Sequence, residues 1–188
     1  MHSHSQIHMM VYASLMAALI AAGAYLAIPI GPVPIVLQNL FVMLAGLLLG
    51  SRWAAAGVGV YLLAGACGLP VFSGGTGGIG RFLGPTGGYL IGFLPAAFFI
   101  GLISERAGQR VVFDIAAMIA GTLTIYLFGV AWLKVVTGMS LVKTLAVGML
   151  PFLIGDGLKI AAAVPLVRAL RPVIRVNRFE ERSAHQTE

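Results

Sequence analysis

The sequence predicts an all-α membrane protein: a single integral domain of six bundled transmembrane helices, with both termini cytoplasmic. Three observations lead there. Of 188 residues, 59% are hydrophobic and only 10% are charged, against about 25% charged in soluble domains. The apolar runs are continuous and long enough to span as helices, whereas a membrane β-barrel needs alternating strands of about ten residues. The Lys and Arg residues fall in a few loops and at the C-terminus, as membrane orientation requires.

The first predicted helix covers residues 9–28 and stops at Pro29-Ile30-Gly31-Pro32-Val33-Pro34, where three prolines in six residues cannot continue it. The second covers 37–50 and ends at Ser51-Arg52; the third covers 53–69 and is closed by Pro70. A glycine-rich loop runs from Ser73 to Gly84. The fourth helix, 85–104, opens on Pro85, a favourable first-turn residue. A polar loop, Glu105 to Arg110, precedes the fifth at 111–137. The sixth covers 145–170 and leaves a basic tail, 171–188. With the N-terminus inside, Arg52, Arg106, Arg110, Arg168, Arg171, Arg175, Arg178 and Arg182 all face the cytoplasm. Only Arg81 and Lys143 fall in outer loops, with Lys134 near an outer helix end. The proline-rich loop, the glycine-rich loop and the near end of the sixth helix then share the outer side.

Composition excludes several classes. The net charge of +6 follows orientation and does not form a nucleic-acid patch. The single Cys67 cannot form an intrachain disulfide and reads as a small buried hydrophobe. Ala22-Gly23-Ala24 mimics a signal-peptide cleavage site, but no Lys or Arg precedes the apolar run, which reads as the first span. His2, His4 and His8 read as part of a frayed terminus, not a metal site. The run Gly74-Gly75-Thr76-Gly77-Gly78-Ile79-Gly80 contains a formal G-x-G-x-x-G, but no strand precedes it and no βαβ unit surrounds it. No Walker-type P-loop occurs, so any ATP-driven step needs another polypeptide.

The strongest functional signal is a pair of opposite charges, Asp156 and Lys159, inside the apolar sixth helix. A charge at the centre of a bilayer costs roughly 2.5–3.5 kcal/mol on insertion scales, so such residues default to a site facing a protein interior or a wet cavity. Three residues apart, the two share a helix face. Gly155 and Gly157 thin the helix beside them, as though something needs room, and Pro151 and Pro165 are candidate kinks. The loop glycines Gly74, Gly75, Gly77 and Gly78, with Thr76, read as a collar whose backbone approaches a polar head group. Thr86, Gly87 and Tyr89 open the next helix, whose free N–H groups favour acceptors. Gln38 is a candidate site amide, and Tyr25, Phe41, Phe72, Phe82, Tyr89 and Phe93 are candidates for an apolar wall. Asp114 reads as an interfacial residue, and Arg81 either steers an anion or is solvated. Small residues recur every four positions in the first helix (Ala13, Ala17, Ala21), the second (Gly46, Gly50) and the fourth (Gly84, Gly88, Gly92). Such stripes permit close helix packing, and the first offers a docking face for a membrane partner.

Four ordered stretches carry a family resemblance. Pro32-Val33-Pro34-Ile35-Val36-Leu37-Gln38-Asn39-Leu40-Phe41 is similar to a P-V-P-[IL]-T-L-Q-T-x-F signature, with Val36 and Asn39 where threonines are common. Gly68-Leu69-Pro70-Val71-Phe72-Ser73-Gly74-Gly75 and Leu83-Gly84-Pro85-Thr86-Gly87-Gly88-Tyr89-Leu90 look like the middle motifs, and Gly155-Asp156-Gly157-Leu158-Lys159 looks like G-D-x-x-K. Together, over about residues 9–172, they resemble the BioY family, the biotin-specific S-component of energy-coupling-factor (ECF) transporters. The resemblance implies a six-helix bundle in a prokaryotic cytoplasmic membrane that captures biotin from outside. It implies a transmembrane coupling protein and two ABC ATPases as partners, with Ala13, Ala17 and Ala21 as the docking face and Asp156 and Lys159 as essential residues. An ionised Asp156 can accept from the ureido N–H groups of biotin, while Lys159 either holds Asp156 ionised or donates to the ligand. No cofactor, metal or enzymatic activity is expected. The charged pair by itself also permits an S-component for another vitamin, an intramembrane enzyme using Asp156 as acid or base, or a membrane assembly protein with a structural ion pair. No nucleophile–base set or metal-ligand cluster supports the enzyme.

Overall fold

The computed structural model describes residues 3–28 and 32–184, with side chains placed for 6–27 and 32–174. Among the described residues the regular elements are helices and one short ribbon: α1 Ser3–Tyr25, β1 Ala27–Ile28, β2 Ile35–Val36, α2 Gln38–Leu49, α3 Ser51–Ala66, α4 Gly80–Leu83, α5 Gly87–Arg106, α6 Val111–Thr137, α7 Leu141–Gly148 and α8 Leu150–Ala184. Among the described residues, four segments are long and apolar enough to cross a membrane: Gln6–Tyr25, Gly87–Arg106, Val111–Thr137 and Leu141–Ile174. The protein is a multi-pass membrane protein.

The middle of the bundle is α2. Its 12 residues span about 18 Å, short of the roughly 30 Å of hydrocarbon, and ten of them are buried on every side. A helix apolar all round belongs in a core, and α2 packs against α1, α3, α5 and α8. Gly50, at φ +83°, turns the chain from α2 into α3; a Cβ there would lie 1.9 Å from Glu105 Oε1, and Glu105 accepts from the Ser51 hydroxyl at 2.9 Å and the Ser51 N–H at 3.2 Å. The α5–α6 hairpin is the most extensive contact. It closes tightly because Gly88 and Gly92 lie against α6 and because Ile100 sits between Gly46 and Gly121. The small-residue stripes of α2 and α5 are thus internal packing, as expected for Gly46, Gly88 and Gly92.

Several elements differ from expectation. The first helix ends at Tyr25; Ala27 and Ile28 instead pair antiparallel with Val36 and Ile35, so the proline-rich turn closes a ribbon. Pro29, Ile30 and Gly31 of that turn lie outside the described residues. The helical region already begins at Ser3, with His2 outside the described residues and the side chain of His4 not placed. The glycine-rich loop contains a short helix, α4, and the fourth predicted helix starts at Gly87 instead of Pro85. The predicted sixth helix is two helices, broken at Met149 (φ −134°, ψ −55°). Pro151 then sits in the first turn of α8, where its missing N–H is harmless. The predicted basic tail continues α8 as helix to Ala184, through Pro165 and Pro172. Cys67 caps α3 in an exposed position and is not buried. Asp114 is buried at 3% exposure, not interfacial. It pairs with Arg171 at 2.8 Å, and Ser104 donates to its other oxygen. Arg171 also donates to the carbonyls of Gln109 at 2.9 Å and Leu47 at 3.1 Å. This cluster ties α8 to the α5–α6 turn and to the end of α2, at the opposite end of the bundle from the cavity described next.

Candidate functional site

A cavity of about 610 Å3, its open mouth included, lies at one end of the bundle. The ribbon contributes Pro34 and Val36, the first turn of α2 Gln38 and Asn39, and the glycine-rich segment Phe72, Ser73 and Arg81. From behind come Thr86, which caps α5, Tyr89 and Phe93 of α5, Ile125 and Tyr126 of α6, and Phe152 and Lys159 of α8. Most of this wall is apolar, with a few convergent polar groups, the usual make-up of a small-molecule site.

Asp156 and Lys159 face the interior. They are 3% and 7% exposed, and Lys159 Nζ lies 3.0 Å from Asp156 Oδ1. Lys159 reaches the cavity wall; Asp156 stands behind it. The second oxygen of Asp156 accepts from the hydroxyl of Tyr126, which also lines the cavity. The carboxylate is therefore held by two donors of the chain itself, while the ammonium has three donors and gives one to Asp156. Gly155 and Gly157 have no close neighbours: a Cβ at Gly155 would meet only Ile35 at 3.9 Å, and one at Gly157 nothing within 4 Å. The room they were expected to leave is not on the cavity side.

Gln38 is 2% exposed and its amide donates to the Tyr61 hydroxyl. Tyr61 stacks edge-on against Phe72 at 5.6 Å, and Phe72 against Phe82 at 5.5 Å. Of the expected aromatic wall, Phe72, Tyr89 and Phe93 line the cavity; Phe82 supports Phe72 from behind, and Tyr25 donates to the Pro70 carbonyl on the surface. The Tyr89 ring faces the cavity while its hydroxyl donates to the Gly148 carbonyl at 2.7 Å. That bond holds the α7–α8 break, which directs the first turns of α8 towards the cavity.

The glycine-rich segment corrects an expectation. Gly74, Gly75, Thr76, Gly77 and Gly78 do not form the cavity wall; they build a compact turn. Phe72 and Thr76 pair as an isolated bridge, the Thr76 hydroxyl donates to the Ser73 carbonyl at 3.0 Å, and the Gly78 N–H donates to the Gly65 carbonyl at 2.7 Å. Gly74, Gly75 and Gly78 have positive φ, where other residues are strained, and a Cβ on Gly77 would lie 2.2 Å from the Leu69 carbonyl. Phe72 anchors the turn by wedging onto Gly65, where a Cβ would be 2.1 Å from its ring. Gly87 is likewise a packing residue, 1.8 Å from the Phe82 carbonyl in the same sense, while Thr86 does line the cavity.

Ala13 and Ala17 are also displaced from the expected role. Both are buried, and the Ala13 backbone packs against Gly57 of α3. Ala21 is half-buried. The exposed small residues of α1 are Ser14, Ala18 and Ala22, one position along with the same four-residue spacing. Sequence reasoning missed Tyr126; its available signal was a tyrosine in the middle of an apolar span instead of at the interface, where the residue is enriched.

The family model described as the BioY family matches residues 1–176. The chain is 43% identical over 172 residues to a biotin transporter BioY of Rhizobium etli, covering 86% of this chain and 91% of that one. It is 42% identical over 158 residues to a probable biotin transporter BioY of Pyrococcus horikoshii, covering 84% and 93%. A solved structure of the S-component for biotin from an ECF-type ABC transporter superposes with a TM-score of 0.86 at 34% identity, covering 92% of this chain and 95% of that one.

Proposed function

This chain belongs to the BioY family, and from that premise we propose that it captures biotin as the substrate-binding subunit of an ECF-type ABC transporter. It is a transport subunit and not an enzyme. The observation that carries the reading is the mixed wall of the cavity. The Lys159–Asp156–Tyr126 set and the Gln38 and Asn39 amides supply donors and acceptors for a ureido ring. Phe72, Phe93, Ile125 and Phe152 supply apolar surface for a thioether ring and an aliphatic chain. With Asp156 held from behind, Lys159 meets the ligand and Asp156 fixes Lys159.

In this reading α1, α2, α3, α5, α6 and α8 are the six crossings of a prokaryotic cytoplasmic membrane, with both termini inside. The short α2 crosses within protein, away from lipid. The cavity opens outward, consistent with the concentration of Arg residues at the other end. The partners are a transmembrane coupling protein and two ABC ATPase subunits, and the exposed Ser14, Ala18 and Ala22 face of α1 suits close approach of a partner helix.

Titration of the purified protein with biotin, thiamine and riboflavin tests the proposal. Saturable binding of one biotin per chain, with neither other vitamin competing, is expected. Absence of biotin binding, or displacement by another vitamin, would refute it.

A further inference from the structure

Among the described residues, two cationic side chains reach the cavity, and only one has a counter-charge. Lys159 is answered by Asp156 at 3.0 Å. Arg81, half-buried on α4, donates from Nη2 to the backbone carbonyl of Ser73 at 2.8 Å, a neutral acceptor. Its Nε is buried without a hydrogen-bond partner, and among the described residues no carboxylate pairs with it. A guanidinium carries five donors in a planar fork suited to a carboxylate. The cavity therefore carries one uncompensated positive charge, fixed at the glycine-rich turn, with a donor poorly placed for water.

We infer that Arg81 binds the carboxylate of the ligand and so sets its orientation: the acid group lies at the glycine-rich turn beside Ser73, and the neutral polar head lies at Lys159 and Gln38. This rests on the biotin reading. It adds that the site selects the free acid and not merely the bicyclic head. The Ser73 carbonyl holds the guanidinium against the loop, and the ligand supplies the anion that the chain lacks there.

The test compares biotin with biotinamide, which keeps the ring system and chain but removes the negative charge. For the purified wild-type protein, biotin is expected to bind at least tenfold more tightly than the amide. In Arg81→Gln that ratio should collapse to about one, chiefly through weaker binding of the acid. Arg81→Lys should retain part of the preference, since the charge remains without the fork. Equal binding of acid and amide by the wild type would overturn the assignment. An equal loss for both ligands in Arg81→Gln would also overturn it, because Arg81 would then only pin the loop through Ser73. If the wild type binds neither ligand, the biotin reading itself falls and takes this inference with it.

Discussion

Replacing Asp156 by Asn, alone and together with Lys159→Met, separates a binding site from a structural ion pair. In the single variant the Lys159 ammonium, 7% exposed, loses the counter-charge that lies 3.0 Å away, and Tyr126 loses an anionic acceptor. Breaking one side of a buried pair destabilises by about 3–5 kcal/mol. Removing both charges leaves no stranded ion, so Asp156→Asn/Lys159→Met should regain most of that stability. Binding should behave differently. A hydrogen bond involving a charged group contributes about 1.5–3 kcal/mol, so loss of the oriented ammonium should weaken biotin by about ten- to 150-fold. The double variant has no ammonium to regain. Thermal unfolding in detergent and isothermal titration with biotin measure the two quantities on the same samples. The expected pattern is recovered stability with unrecovered affinity. A double variant that binds biotin like the wild type would show the pair to be structural and would refute the reasoning.

The remaining predictions concern positions that feed into the same site or lie clear of it. Tyr126→Phe removes the second donor to Asp156 and should lower thermal stability by about 1–3 kcal/mol, the cost of an unsatisfied buried acceptor, and also weaken biotin binding as read by titration; unchanged affinity would remove Tyr126 from the site. Gly65→Ala forces a Cβ to within 2.1 Å of the Phe72 ring and should lower thermal stability by about 1–3 kcal/mol through overpacking, with a loosened glycine-rich turn visible as faster proteolysis. Ala18→Leu, on the exposed face of α1, should reduce co-purification with the coupling protein while sparing biotin binding; the buried Ala17→Leu should instead destabilise the isolated subunit. Arg171→Met strands the buried Asp114 and should cost about 3–5 kcal/mol of stability, with Asp114→Asn largely restoring it in the double variant and biotin affinity unaltered throughout.

The parts of the fold legible in the sequence are those with local punctuation. The bounds of α6 at Val111 and Thr137 follow from the polar turn before it and from Gly138, which adopts φ +66°. The α2–α3 turn was marked by Gly50-Ser51-Arg52 in the same way. The α7–α8 break was only hinted at by Pro151: the residues on either side are equally apolar, and what holds the break is a Tyr89 hydroxyl 59 residues away. Tyr126 and Asp156 meet across 30 residues, and Arg171 and Asp114 across 57, so no spacing rule reaches them. The glycine-rich segment was misread because a backbone that cradles a ligand and one that packs against its own chain need the same residues. Helix α1 was misread for a related reason. It carries small residues on two adjacent faces, and only the position of α3 decides which one remains exposed.

The two buried ion pairs show why charge in an apolar helix marks a site only together with its neighbours. Asp114–Arg171 and Asp156–Lys159 have nearly the same separation, 2.8 and 3.0 Å, but the first joins α6 to α8 while the second lies within α8. Both terminal nitrogens of Arg171 are met by acceptors of the chain itself, including the carbonyls of Leu47 and Gln109, and its Nε is buried without a partner, away from the cavity. Its planar fork suits that task because several donors are satisfied from one position. Lys159 donates to Asp156 and borders an open cavity. A compact ammonium with spare donors facing a void must find its remaining acceptors in water or in a ligand. Spare donors facing an open cavity thus distinguish receptor from anchor, and this supports the proposed role of Lys159 in ligand recognition, with Asp156 acting through it.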